Sequence, residues 1–332
     1  MTKVKVAING FGRIGRVTLR ALLQRKNIEV VAINDITSSA TLAHLFKYDS
    51  IHGKFKGTVT ADADSITIDG HKIHITAQRD PAALPWKQMG VDVVIESTGL
   101  FLDKASAEKH LAAGAKKVVL SAPPKGSDIK AIVMGVNDNT LDKNDHIVSN
   151  ASCTTNCAAP MVKIIHENWG IDVGFLTTIH AYTSDQRLHD APHSDLRRAR
   201  AAAVSMVPTS TGAAKAITAI FPELKGKLSG DSIRVPVPDG SITDIACILK
   251  KPADAAAINA AFKKAADGPL KGFLEYSDEP LVSMDIVGNP HSCIFDSGLT
   301  VVIGNLVKIS GWYDNETGYS NRLVDLIEKI SA

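Results

Sequence analysis

Short β-branched runs alternate with amphipathic helical stretches through the first half of the chain. Residues 4–9 predict a strand and 13–26 a helix, then 29–34 a strand and 38–47 a helix. An apolar strand over 91–97, an Ala-rich helix over 104–113 and a strand over 117–120 continue the pattern, and 132–136 and 147–150 read as its last strands. This order is that of a doubly wound α/β domain, a parallel sheet covered by helices. Within it, apolar-alternating residues 65–68 and 72–76 flank Asp69-Gly70, a hairpin signal that predicts an antiparallel insertion.

The pattern changes after Asn150. A helix is expected over 153–168 and a strand over 173–180, followed by residues 181–208 with no sustained apolar period. A connection of that length usually serves a site or an interface. Strands at 242–250, 293–296, 299–303 and 306–312, with turn residues Ser297-Gly298 and Gly304-Asn305 between them, predict a largely antiparallel sheet. A helix is expected near 254–266, and an amphipathic helix over 316–330 closes the chain. The reading is therefore a domain over 1–150, an α+β domain over 151–315 with a long loop at 181–208, and a C-terminal helix, 316–332, returning to the first domain.

Composition narrows the picture. The 332 residues suit two domains, and 37 basic against 35 acidic residues give no bulk charge for nucleic acid. No stretch reaches the roughly 18 apolar residues of a membrane span, and the N-terminus lacks the form of a secretory signal. The four cysteines show no C-x-x-C spacing, so neither a disulfide framework nor a metal site is expected. The expectation is a reduced, cytoplasmic protein without metal, nucleic-acid or membrane partners.

Gly10, Gly12 and Gly15 form G-x-G-x-x-G between the first strand and the first helix. In that context the pattern is the Rossmann dinucleotide fingerprint. Gly10 permits the tight turn, Gly12 lets the backbone approach a pyrophosphate, and Gly15 allows helix and strand to pack closely. The helix N-terminus offers unpaired N–H groups to the phosphates. Asp35 lies 20 residues after Gly15 at the end of the second strand, where a carboxylate grips ribose hydroxyls and repels a 2′-phosphate, favouring NAD over NADP. The competing reading of Asp35 is a cap for the next helix, a task open to Thr37 or Ser38 as well.

Cys153 falls where a strand ends and a helix begins. The helix terminus favours thiolate by typically 0.3–1 kcal/mol, less than one pKa unit, so a second activating group is required. His180, ending a strand just before the long loop, is a candidate base among eleven histidines. Cys157, four residues on, shares the helical face of Cys153 and reads either as a redox partner or as a small buried side chain. Cys247 and Cys293 read as core.

Taken together, N-G-F-G-R-I-G-R at 9–16, S-N-A-S-C-T-T-N-C at 149–157, H-A-Y-T at 180–183, T-S-T-G-A-A-K-A at 209–216, R-V-P at 234–236 and W-Y-D-N-E-T-G-Y-S-N-R at 312–322 resemble the phosphorylating glyceraldehyde-3-phosphate dehydrogenases. The resemblance implies that Cys153 attacks the aldehyde of glyceraldehyde 3-phosphate, that His180 is the base, and that inorganic phosphate releases the acyl group from a thioester. It implies Thr183 and Arg234 as ligands of the substrate phosphate. Ser152, Thr154, Thr211 and Gly212, with Arg198 nearby, would bind the incoming phosphate. Arg13 and Ile14 would lie along the pyrophosphate of NAD, Arg79, Thr98 and Ser121 would line the dinucleotide cleft, and Asn315 would hold the nicotinamide amide or cap the last helix. The family resemblance also implies a homotetramer with the 181–208 loop at an interface.

Ala191 before Pro192 departs from the leucine common in strictly NAD-dependent members, leaving some NADP use open. The alternatives weighed against this reading are an erythrose-4-phosphate dehydrogenase and a non-catalytic NAD-binding redox sensor.

Overall fold

The computed structural model describes residues 3–332. The chain divides into two compact units: the first runs to Ile132 and adds Asn139–Ala151 and Ser320–Ala332, while the second comprises Val133–Asp138 and Ser152–Tyr319.

The first unit contains β1 (Val4–Asn9), α1 (Arg13–Leu22), β2 (Ile28–Asn34), α2 (Ser39–Lys47), β3 (Val59–Asp62), β4 (Ser65–Ile68), β5 (His71–Thr76), the short α3 (Trp86–Met89), β6 (Val93–Glu96), α4 (Lys104–Ala112), β7 (Lys117–Leu120), β8 (Lys130–Ala131) and β9 (Ile147–Ser149). They form one nine-stranded sheet in the order β3-β4-β5-β2-β1-β6-β7-β9-β8. Pairing is parallel from β5 to β8 and antiparallel from β3 to β5. Val6–Ile8 of β1 and Val93–Ile95 of β6, the central strands, are buried on both faces, which is why these stretches read as apolar runs. The order reverses between β1 and β6, and at such a switch point the carboxyl ends of the strands open a crevice. The antiparallel insertion turns at Asp69 and Gly70, both with positive φ (47° and 82°), the conformation of a tight hairpin turn.

One expected strand is corrected. The paired strand is β8 (Lys130–Ala131); Ile132 N–H still donates to Ser149 O (2.8 Å), and residues 134–137 form a turn. Gly135 has φ +79°, and Val133 N–H donates to Asn137 Oδ1 instead of a neighbouring strand.

The second unit is built on α5 (Cys153–Trp169), β10 (Ile171–Ala181), β11 (Val207–Ser210), α6 (Ala213–Ile220), β12 (Leu228–Val235), β13 (Ser241–Leu249), α7 (Ala255–Asp267), β14 (Leu274–Ser277), β15 (Cys293–Asp296), β16 (Val301–Ile303) and β17 (Leu306–Tyr313). Its sheet runs β11-β12-β10-β13-β17-β15-β14, with β16 beside β17. It is largely antiparallel, as expected, with parallel pairs at β10/β12 and β14/β15. α5 buries Cys157, Ala158, Met161, Val162 and Ile165 and packs against β13, β15 and β17. The last helix, α8 (Thr317–Ser331), runs into the first unit from Ser320 onward, where Asp325 pairs with Arg25 at 2.9 Å.

Candidate active site

In the first unit the glycine-rich turn follows β1 directly. Gly10 has φ +92°, and a Cβ there would come within 2.7 Å of the Ser97–Thr98 peptide, so no other residue fits. A Cβ on Gly15 would approach Gly10 O to 2.4 Å, fixing the close seat of α1 on the turn. Gly12 differs. Its missing Cβ faces open space, as a surface that receives a ligand's backbone-close approach should. Gly12 caps α1 without a side chain, and the first turn, beginning at Arg13 and Ile14, carries no acidic residue. This terminus is suited to a pyrophosphate.

Asp35 accepts hydrogen bonds from Phe11 N (2.9 Å) and Thr37 N (2.9 Å), which hold its carboxylate beside the glycine turn. Ser38, not Asp35, caps α2 by accepting from Thr41 N. The Arg13 guanidinium is paired with buried Asp49 at 2.7 Å. Arg13, together with backbone hydrogen bonds from His52 and Ile51, holds the Asp49 carboxyl down to about 2 against the opposing effect of burial. Arg79 is exposed, Thr98 and Ser121 are half-buried, and Ser121 Oγ donates to Ser97 Oγ (3.1 Å). The open face at Gly12, the uncapped helix terminus and the anchored Asp35 together fit a dinucleotide.

Sequence reasoning missed Glu96. This residue ends β6, is fully buried, and accepts from Asn9 Nδ2 (2.6 Å), Thr98 N (2.8 Å) and the Thr98 hydroxyl. Trp86 Nε1 donates to His110 Nδ1 at 3.0 Å, which leaves His110 Nε2 to donate to Glu96 (3.0 Å). The only signal in sequence is an acidic residue closing an apolar strand.

In the second unit Cys153 is the first residue of α5, behind the cap Ser152, whose Oγ accepts from Thr155 N (3.0 Å). The preceding Ala151 has φ +54°, a conformation costing an L-residue about 1–2 kcal/mol. It turns the chain so that the helix begins at the cysteine. Cys153 Sγ lies 3.3 Å from His180 Nε2. His180 Nδ1 lies 2.7 Å from Ala181 O, and a carbonyl needs a donor, so the proton sits on Nδ1 and the Nε2 lone pair faces sulfur. Arg234 Nη1 also donates to Ala181 O (3.2 Å) and to Thr183 Oγ1 (3.2 Å).

Burial pushes the Cys153 thiol up, partly opposed by the Arg234 cation. Burial, then Arg234, holds His180 down to about 3. Both shifts favour the uncharged forms of the two groups, thiol and imidazole. Hydrogen bonds from Thr154 and from the Cys153 backbone, at the start of α5, also favour the thiolate, and burial outweighs them.

Thr183 and Arg234 are thus together beside the Cys153–His180 pair. Arg198 Nε donates to Thr209 Oγ1 (2.9 Å), and the guanidinium is paired with Asp185. Thr211 and Gly212 precede α6, with Thr211 Oγ1 accepting from Ala213 N (3.2 Å). The Thr154 hydroxyl is turned inward to Tyr313 OH (2.9 Å), so only its backbone faces the helix terminus. Asp314, not Asn315, caps α8: its Oδ1 accepts from Glu316 N (2.8 Å) and Thr317 N (2.7 Å). Cys157 is fully buried and donates to Gly311 O, and all four cysteines are free thiols. Among the described residues no helix is long and apolar enough to cross a membrane.

Comparison with known proteins gives matches over nearly the whole chain. Residues 4–104 match the family model "Glyceraldehyde 3-phosphate dehydrogenase, NAD binding domain", and residues 152–315 match the corresponding "C-terminal domain". The chain is 59% identical over 327 residues to a glyceraldehyde-3-phosphate dehydrogenase of Streptomyces coelicolor, covering 97% of each chain. It is 58% identical to glyceraldehyde-3-phosphate dehydrogenase 2 of Streptomyces avermitilis over 97% of each, and 59% identical to the Mycobacterium avium enzyme over 98% of each.

Proposed function

Because the chain belongs to the glyceraldehyde-3-phosphate dehydrogenase family and is an NAD-dependent oxidoreductase, we propose that it oxidises D-glyceraldehyde 3-phosphate with inorganic phosphate to 1,3-bisphosphoglycerate in glycolysis and gluconeogenesis. The observation that carries this reading is the 3.3 Å approach of Cys153 Sγ to the proton-free Nε2 of His180.

As Sγ bonds to the aldehyde carbon, Nε2 takes the thiol proton and passes it to the carbonyl oxygen, giving a thiohemiacetal. The backbone N–H of Cys153 receives the developing oxyanion. NAD, when bound, supplies the acceptor for the hydride that leaves this carbon. His180 takes the hydroxyl proton in that step, and a thioester remains on Cys153. A phosphate oxygen then attacks the thioester carbon and the C–S bond breaks. Sulfur recovers its proton from His180, and the proton of the attacking phosphate goes to water.

Thr183 and Arg234 hold the substrate's phosphate. Ser152, Thr211, Gly212, Arg198 and the backbone at Thr154 receive the incoming one, hydroxyls, N–H groups and guanidinium being phosphate ligands. NAD is held through Gly10, Gly12, the α1 terminus at Arg13 and Ile14, Gly15, Asp35, Arg79, Thr98 and Ser121, with Asn315 on the nicotinamide amide. The enzyme works in the cytoplasm as a homotetramer. Exposed Leu188, Leu196, Val204 and Met206 on the long loop support burial against other copies.

The test is NAD reduction with glyceraldehyde 3-phosphate, with and without phosphate, in the wild type and Cys153→Ser. Phosphate-dependent turnover lost in the variant, with NAD binding kept, is expected. Turnover by the variant, faster turnover of erythrose 4-phosphate, or indifference to phosphate sinks the reading.

A further inference from the structure

Ser241 is the first residue of β13 and is fully buried. Its Oγ accepts from Ala181 N at 3.0 Å, next to the histidine of the catalytic pair. The same oxygen lies 2.6 Å from Asn315 Oδ1. A hydroxyl has one hydrogen to give, and since the Ala181 N–H is itself a donor, that hydrogen goes to Asn315. The bond therefore fixes which way the Asn315 amide points. With Oδ1 held by Ser241, Nδ2 and its two hydrogens face the other way. If the amide were reversed, Ser241 would accept twice and its own hydrogen would have no partner, at a cost buried polar groups avoid.

The neighbouring contacts leave Asn315 available for this role. Capping of α8 is done by Asp314, so the Asn315 side chain, 6% exposed, takes no part in it. β13 pairs with both β10 and β17, which places Ser241 between the strand that carries His180 and the segment after β17 that carries Asn315.

We propose that Ser241 is a positioning residue for nicotinamide recognition: its hydroxyl locks Asn315 as a hydrogen-bond donor and ties it to the backbone beside His180. A locked donor selects a carboxamide through its carbonyl oxygen, so the preference belongs to the nicotinamide end of the cofactor and not to the ADP-ribose end. The inference rests on the reading that Asn315 meets the nicotinamide amide.

Calorimetric affinities of the purified enzyme for NAD and for ADP-ribose, which lacks the nicotinamide, test it. Ser241→Ala is expected to weaken NAD about fivefold to tenfold, the worth of one well-made hydrogen bond, and leave ADP-ribose unchanged. Ser241→Cys, close in size but a weaker donor, is expected to lose NAD affinity in the same selective way and covers the case that Ala does not fold. Equal loss of both ligands, or no loss, overturns the inference. Asn315→Ala separates the two levels. If it weakens NAD selectively while the Ser241 variants do not, the inference fails and the reading of Asn315 stands; if it does not, that reading fails too.

Discussion

His180 and Arg234 stand directly opposite each other on the parallel strands β10 and β12, and Arg234 Nη1 comes within 3.1 Å of His180 Nδ1. Both nitrogens carry hydrogen and both donate to Ala181 O, so the contact is a shared acceptor and not a bond between them. A fixed cation beside His180 makes protonating the imidazole harder and ionising the Cys153 thiol easier.

Removing that cation has a defined sign. In Arg234→Gln the Cys153 thiol loses the charge that favours thiolate, so its pKa rises, and the His180 pKa rises as well. The pH midpoint for inactivation by iodoacetamide is expected to move up by about one unit. An unchanged midpoint shows that Arg234 does not set the thiol.

Asp185 is ion-paired with Arg198. If Arg198 receives the incoming phosphate as proposed, that phosphate competes with the Asp185 carboxylate. Asp185→Asn keeps the size and removes the charge, so KM for phosphate is expected to fall about threefold at low salt, with the effect fading as ionic strength rises. A higher KM means that Asp185 helps to place Arg198 instead of competing for it.

Asp239 is fully buried facing Asp314 and Glu316, and burial, then those charges, pushes its carboxyl up to about 9. Between an unfolded value near 4 and about 9, the folded chain keeps a proton that the unfolded chain releases. By linkage, stability falls as pH rises through that window and levels off above it. Asp239→Asn removes this slope. Its thermal stability should exceed the wild type's increasingly from pH 5 to 8, by on the order of 2 kcal/mol at the upper end. Parallel pH profiles for the two proteins contradict the assignment.

Val173, Ile248, Leu306 and Ile303 are direct cross-strand neighbours on β10, β13, β17 and β16, and all four are exposed. A continuous apolar row of this kind is expected to be covered in an assembly. Ile303→Glu, at 68% exposure, should leave the folded chain intact and shift sedimentation towards smaller species. A wild type that sediments as a monomer, or a variant identical to it, rules this face out.

How far the sequence was readable depends on how local each cause is. Gly10 and Gly15 could be read because a turn and a close approach each demand glycine at fixed spacing. The helix start at Cys153 was equally local. The Arg13–Asp49 pair and the Glu96–His110–Trp86 network were not, since each joins residues brought together only by the sheet. Strand β12 was missed for a related reason. Its sequence, L-S-G-D-S-I-R-V, contains glycine and aspartate and forms a strand because β10 and β11 pair with it on either side. At Asn315 the local signal for a cap was one residue out, because the neighbouring aspartate is the better acceptor for the helix N–H groups.

The return of α8 to the first unit carries a consequence for how the protein is made. Arg25 meets Asp325 across 300 residues of chain. During synthesis the NAD-binding unit emerges first but lacks its final helix until the last residues leave the ribosome. The unit bearing Cys153 emerges between these two pieces and has all its strands before the first unit is whole. Closing so long a loop is a late event, so a chain stopped short of Ser320 would strand the first unit unfinished while the second had every residue it needs.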